Sequence, residues 1–200
     1  MSKMVKIVLV IGVIGGLSGT SLTALKNSLN TRIEAQKDIY IRGPAIKEIM
    51  KNVENDPAAT KKEMTFDGVK YVFYPGFKGG KCIAVAFESI GPGGFGGDIK
   101  LMVGFNFENS TILGVAATEH HETPGIGARA LEFSYLSQYY GLPYKESFKL
   151  KKDGGKIDVL TGASYSSTAI VSAVENAAQL IRNHQKEIIE TLEKSYESNK

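Results

Sequence analysis

An α+β fold is written into this 200-residue sequence: one N-terminal transmembrane helix, then an antiparallel sheet, then a long C-terminal helix. From Ile7 to Leu25 no charged residue occurs, and a helix of that length covers the roughly 30 Å of a bilayer's hydrocarbon core. From Met64 onward, apolar runs alternate with short glycine- or asparagine-containing breaks, the pattern of hairpins. From Ser164 to Glu197, Ile170, Val174, Ala177, Ile181 and Ile188 recur at helical spacing as one stripe. Strands followed by a helix place the chain in the α+β class with an antiparallel sheet.

Residues 1–26 form the anchor. Lys3 and Lys6 precede the apolar run, and Lys26 and Arg32 follow it. A signal-peptide core is shorter, about 7–15 residues, so the length favours a retained anchor. Gly12, Gly15, Gly16 and Gly19 give one face small-residue spacing, which suits close packing against other membrane helices. Basic residues flank both ends, so charge alone does not orient the anchor. Residues 27–57 read as a helical connector, with Ile33, Ile39 and Ile46 among its apolar positions. Pro44 kinks or restarts it, and Asp56-Pro57 breaks it.

Residues 58–200 carry the folded domain. The runs MTFDGVKYVFYPGF and KCIAVAFESI join through Lys78-Gly79-Gly80-Lys81, a hairpin signal. A second hairpin joins DIKLMVGFNF to ILGVAATEH through Glu108-Asn109-Ser110. A loop, HETPGIGA, follows, then a short helical stretch, ALEFSYLSQYYG. The basic stretch KLKKDGGK leads into a strand-like run from Ile157 to Leu160. Cys82, the single cysteine, lies in the apolar run CIAVAF and is expected to pack inside a strand. The net charge is +3 with scattered Lys and Arg, which leaves no nucleic-acid footprint.

Several motifs lead nowhere. Gly91-Pro-Gly-Gly-Phe-Gly96 matches GxGxxG, but a strand follows it where a dinucleotide site needs a helix. It reads as a glycine-rich connection between hairpins, open to close approach by a flat ligand or a neighbouring protein. His120-His121-Glu122 suggests a metal, yet adjacent strand residues point to opposite faces, and no HxxxH or CxxC supports it. The absence of GxSxG argues against a serine hydrolase at Ser164. What remains is LTGASYSST, with five hydroxyls (Thr161, Ser164, Ser166, Ser167, Thr168) around Gly162-Ala163 at the mouth of a helix. Hydroxyls there either cap the helix or accompany an anion at its N-terminus.

Two motifs carry a resemblance. Asp158-x-x-Thr161-Gly162-Ala163-Ser164, with Ser166 after it, resembles the flavinylation signature of the FMN-binding domain found in RnfG and NqrC. These are flavoprotein components of the Rnf and Na⁺-translocating NADH:quinone reductase complexes. His120-x-Glu122-Thr123-Pro124-Gly125-Ile126-Gly127 is similar to a second loop of that family. Together with the anchor and the terminal helix, the resemblance spans nearly the whole chain. It implies one FMN, joined through its phosphate to the Ser164 hydroxyl by a flavin transferase that uses FAD. Thr161, Gly162, Ala163 and Ser166 would surround the phosphate. Glu122, Thr123, Gly125 and Ile126 would lie against the isoalloxazine ring. Family members mostly carry Ser-Gly-Ala-Thr where this chain has Thr-Gly-Ala-Ser, so Thr161 and Ser166 stay open as acceptors.

The implied function is a membrane-anchored electron carrier of the Rnf complex, which moves electrons between ferredoxin and NAD⁺ and couples them to Na⁺ or H⁺ transport. The other membrane components of the complex would be its partners, and its flavin domain would face outside the cytoplasm. The carrier itself would not bind NADH or pump ions. An NqrC-type carrier and an anchored binding domain without a redox role are the alternatives.

Overall fold

The computed structural model describes residues 2–51 and 53–198. The chain divides into two units, Met1–Ile41 and Arg42–Lys200. The first consists mainly of helix α1 (Lys3–Lys37), which has no buried residue. The mean hydropathy of its most apolar 18-residue window is 1.9, so it is long and apolar enough to cross a membrane. Thr20 and Thr23 donate their hydroxyls to the carbonyls of Gly16 and Gly19, so neither exposes an unpaired donor. A π-helical segment, Asp38–Arg42, comes next in the chain. Helix α2 (Gly43–Ile49) then carries Pro44 in its first turn, where a residue without an N–H loses nothing.

In the second unit five strands form an antiparallel meander in chain order: β1 (Lys62–Phe66), β2 (Val69–Lys78), β3 (Lys81–Gly94), β4 (Gly97–Asn106) and β5 (Thr111–Glu119). The β2–β3 and β4–β5 turns fall at the expected breaks. Two details differ from the sequence reading. The run from Met64 to Phe77 holds two strands, because Asp67 and Gly68 both take positive φ (51° and 77°) and close a hairpin. The Gly91–Gly96 segment does not separate two hairpins; it is the end of the β3–β4 hairpin, with Gly94 opposite Gly97. Pro75 is tolerated within β2 because β1 pairs only as far as Phe73. Beyond that point Asn55 covers the edge, donating to the Pro75 carbonyl (2.9 Å) and accepting from the Phe77 N–H (2.7 Å).

Helix α4 (Ser164–Glu197) packs on one face of the sheet. All five residues of its predicted stripe are buried, in one cluster with Phe73, Val85, Phe87, Leu101, Val103 and Phe105. The other face carries α2, whose Ala45, Ile46 and Ile49, with Met50 just after it, pack with Tyr74, Ala84, Ala86 and Met102. Between β5 and α4 the expected single helical stretch is three short turns: 3-10 at Gly127–Leu131, helix α3 (Phe133–Leu136), and 3-10 at Ser137–Tyr139. Glu132 interrupts it with extended backbone (φ −74°, ψ 151°).

Cys82 is buried on β3, as its apolar run predicts. Burial, helped by the nearby Glu193 carboxylate, pushes its thiol up from 9.0 to about 12. The folded chain thus keeps a proton that the unfolded chain releases near pH 9. That stabilisation is present below pH 9 and is lost as the pH rises toward 12. At pH 8 the thiolate fraction is about 1,000-fold below that of the unfolded chain. Iodoacetamide should therefore label the native protein about 1,000-fold more slowly than the denatured one. Comparable rates would show that Cys82 is open to solvent.

Candidate functional site

The run Ile157–Leu160 is extended but belongs to no strand; only Ile157 bridges, to Leu150. Side chains hold it instead. Tyr135 donates its hydroxyl to the Asp158 carbonyl (2.6 Å), the Asp158 N–H donates to Gln138 (2.8 Å), and the Leu160 N–H donates to Ser167 (3.1 Å). Burial raises the Tyr135 hydroxyl's pKa, so this donor keeps its proton. The Asp158 carboxylate is exposed and paired with Lys151 at 2.7 Å.

The chain then turns. The Ala163 N–H donates to the Leu160 carbonyl (2.9 Å), and Gly162 takes φ +85°, a conformation that favours glycine. Thr161 and Gly162 are exposed at the tip, while Ala163 is buried beneath. Ser164 opens α4 with an exposed side chain.

This arrangement accounts for the five hydroxyls. None of them caps the helix: the N-cap position is Ala163, and no side-chain capping bond forms. Ser166 and Ser167 point inward and are buried, Ser167 bracing Leu160 and Ser166 donating to Glu122 at 2.7 Å. Thr168 donates back to the Ser164 carbonyl (2.9 Å). Thr161 and Ser164 stand at the surface of the turn itself. The first turn of α4 has no acidic residue, and its leading N–H groups lie at an uncapped helix start. That is the donor set an anion such as phosphate needs.

Glu122 ties a second segment to this turn. Its carboxylate, 5% exposed, accepts from Ser166 through Oε2 and from the Gly96 N–H through Oε1 at 3.1 Å. His121 packs its carbonyl against Gly96, where a Cβ would collide. Beyond Glu122 the loop closes on itself, the Ile126 and Ala128 N–H groups donating to the Thr123 carbonyl (3.2 and 3.1 Å). Gly125 takes φ +75°, and Thr123, Pro124, Gly125 and Ile126 are exposed. Three exposed apolar side chains border the junction: Phe95 at the β3–β4 tip (74%), Ile126 (56%) and Tyr165 (69%). Clefts between β2, β3 and α4 and beside α2 are lined by other residues.

The structure thus brings Thr161, Gly162, Ala163, Ser164 and Ser166 together with Glu122 and its loop. It turns Ser166 and the Glu122 carboxylate into the protein, and leaves Thr123, Gly125 and Ile126 outward. Phe95 and Tyr165 were not singled out in the sequence; a phenylalanine between glycines at a hairpin tip was the available signal. Among the described residues no group of three or more His, Cys, Asp or Glu is placed to hold a metal ion.

Residues 94–179, which run from the β3–β4 tip through the Glu122 loop and the Ser164 turn into α4, match the FMN-binding domain family. The chain is similar to RnfG of Vibrio cholerae, the G component of an ion-translocating oxidoreductase complex, at 37% identity over 115 residues, 54% of this chain. It spans about half the length (54%) of that relative. The corresponding RnfG of Haemophilus influenzae is 28% identical over 166 residues, 80% of this chain and 79% of that one. The fold is also that of a crystal structure from Parabacteroides distasonis, the C component (NqrC) of its Na⁺-translocating NADH-quinone reductase. There the TM-score is 0.55 at 16% identity, covering 76% of this chain and 95% of that one.

Proposed function

We propose that this chain is the RnfG-type electron carrier of a membrane-bound, ion-translocating oxidoreductase complex, and that one FMN is joined to Ser164 through its phosphate. The observation that carries this reading is the exposed Ser164 hydroxyl at the uncapped start of α4. Relatives named as the G component of such complexes support this assembly over an NqrC-type one. Bound FMN would supply reversible one- and two-electron transfer.

The residues divide the work. Ser164 Oγ would take the flavin-side phosphoryl group of FAD, with AMP as the leaving group and the hydroxyl proton going to a base of the flavin transferase. The leading N–H groups of α4 would hold the phosphate. Gly162 lets the turn project, and Thr161 stands beside Ser164 as a further hydroxyl. Asp158 pairs with Lys151 and is assigned no contact with the phosphate, because carboxylate and phosphate repel each other. Thr123, Gly125 and Ile126 offer an exposed loop to the ring, with Phe95 and Tyr165 as apolar borders. Flavin fluorescence that stays with the chain in a denaturing gel tests the reading, and a dark band contradicts it.

The ring contact has its own test. Thr123→Val keeps size and removes one exposed hydroxyl. If that hydroxyl bonds one oxidation state of the ring better by about 1 kcal/mol, the one-electron potential shifts by roughly 40 mV. Full flavin occupancy with a moved midpoint potential is the outcome we predict; an unchanged potential and spectrum would place the loop away from the ring.

In this reading α1 stays on the mature protein, other membrane proteins of the complex are its partners, and the flavin domain lies outside the cytoplasm. N-terminal sequencing of the membrane fraction should start ahead of Ile7, with the apolar run retained. A sequence beginning near Ala24 would show cleavage instead.

A further inference from the structure

We propose that Glu122 is a positioning residue: its buried carboxylate latches the Thr123–Gly127 loop and the β3–β4 tip to the first turn of α4, and so fixes where Ser164 is presented. The proposal rests on Ser164 being the acceptor. It gives Glu122 and Ser166 a role distinct from touching the flavin.

Both carboxylate oxygens are engaged inside the protein, Oε2 by Ser166 at 2.7 Å and Oε1 by Gly96 at 3.1 Å. The group is walled in. A Cβ on Gly127 would strike Oε2, and one on Gly94 would strike Oε1. Glycine at both positions lets backbone close over the carboxylate, which leaves it 5% exposed and Ser166 1% exposed. A ring lying on the outer surface of the loop has no open side of this carboxylate to meet. A buried carboxylate is tolerated only when hydrogen-bonded, so both bonds are needed to keep it there.

The latch bears on Ser164 through the helix. Ser166 is two residues after Ser164, in the same first turn, and that turn lacks a capping side chain of its own. Three segments distant in sequence therefore meet on one group: Gly96, Glu122 and Ser166. Releasing Ser166 frees the first turn of α4 to shift, and a misplacement of about 1 Å in a reacting group costs up to about 100-fold in rate.

The test uses the full-length chain in detergent, FAD and a purified flavin transferase, with attachment followed by intact mass. Glu122→Gln and Ser166→Ala should each slow attachment about tenfold or more. The double variant should be slowed by less than the product of the two single effects, because both changes act on the Ser166–Glu122 contact. The fraction that does load should keep the wild-type absorption spectrum. Ile188→Val, a core change about 36 Å along α4 from Ser164, should lower the unfolding temperature without slowing attachment. If Glu122→Gln does not fold, Ser166→Ala, which removes one hydroxyl, carries the comparison.

Wild-type rates in Ser166→Ala and Glu122→Gln, with flavin on Ser164, would overturn the latch alone. So would an equal slowing by Ile188→Val, or a shifted spectrum in loaded Glu122→Gln. Flavin found on another residue would overturn the Ser164 reading, and the latch with it.

Discussion

Ser164→Ala should lose all covalent flavin while its unfolding temperature stays within the error of the wild type. The two halves of this prediction come from one observation. Ser164 is exposed at the start of α4, and its hydroxyl caps nothing. Removing such a group costs within about 0.5 kcal/mol. A dark band in a denaturing gel therefore reports the missing nucleophile and not a lost fold. Thr161, the other exposed hydroxyl of the turn, supplies the control. Thr161→Ala should stay fluorescent, because its side chain stands before Gly162 and Ala163 and not on the helix. A fluorescent Ser164→Ala beside a dark Thr161→Ala would move the attachment point to Thr161. Ser166→Ala, in contrast, acts on a buried side chain and should slow loading without abolishing it.

Gly91→Ala should destabilise the domain markedly. Gly91 is buried in β3 where the strand passes α4, and a Cβ there would run into the Ala169 carbonyl and lie 3.1 Å from the Ala173 side chain. Its backbone is ordinary, so lack of space is the whole argument. The strand and the helix are pinned beside the contact. Ser89 donates to the Ala173 carbonyl at 2.8 Å, and Asn176 donates to the Ile90 carbonyl at 3.2 Å. Relief needs a shift of α4 against the sheet, an overpacking that costs about 1–3 kcal/mol, or about 2–12 °C in unfolding temperature. An unchanged unfolding temperature would show that strand and helix do not approach this closely.

The two glycine-rich signals explain what the sequence could and could not convey. GPGGFG was readable as a glycine cluster in an all-strand context, which removed the dinucleotide reading. Its purpose was not readable. Gly91 makes room for α4, and Gly94 and Gly96 make room for Glu122 and His121. Those neighbours lie more than 20 residues away in sequence, and no local pattern announces them. Asp67-Gly68, however, is a strong local hairpin signal that the apolar runs on both sides masked.

Helix α4 was legible to its ends because its stripe is long and regular. The same stripe could have sorted the hydroxyls. Ser166 precedes Ile170 by four residues and Val174 by eight, so helical spacing places it on the buried face. Ser164 falls off that face. Glu122 is the reverse case. A carboxylate beside an exposed Pro-Gly turn reads as surface, and only the packing of Gly94 and Gly127 against it reveals its burial. The Ile157–Leu160 run looked like a strand because it is extended and apolar. Tyr135, Gln138 and Ser167 supply the hydrogen bonds a neighbouring strand would have made.

Peptide mass mapping of the full-length protein, made together with a flavin transferase, bears on all of this most directly. The peptide containing Ser164 should be heavier by one FMN less one water, with fragmentation placing the addition on Ser164 and leaving Thr161 and Ser166 unmodified. An unmodified Ser164 peptide from protein that still carries flavin would contradict the account.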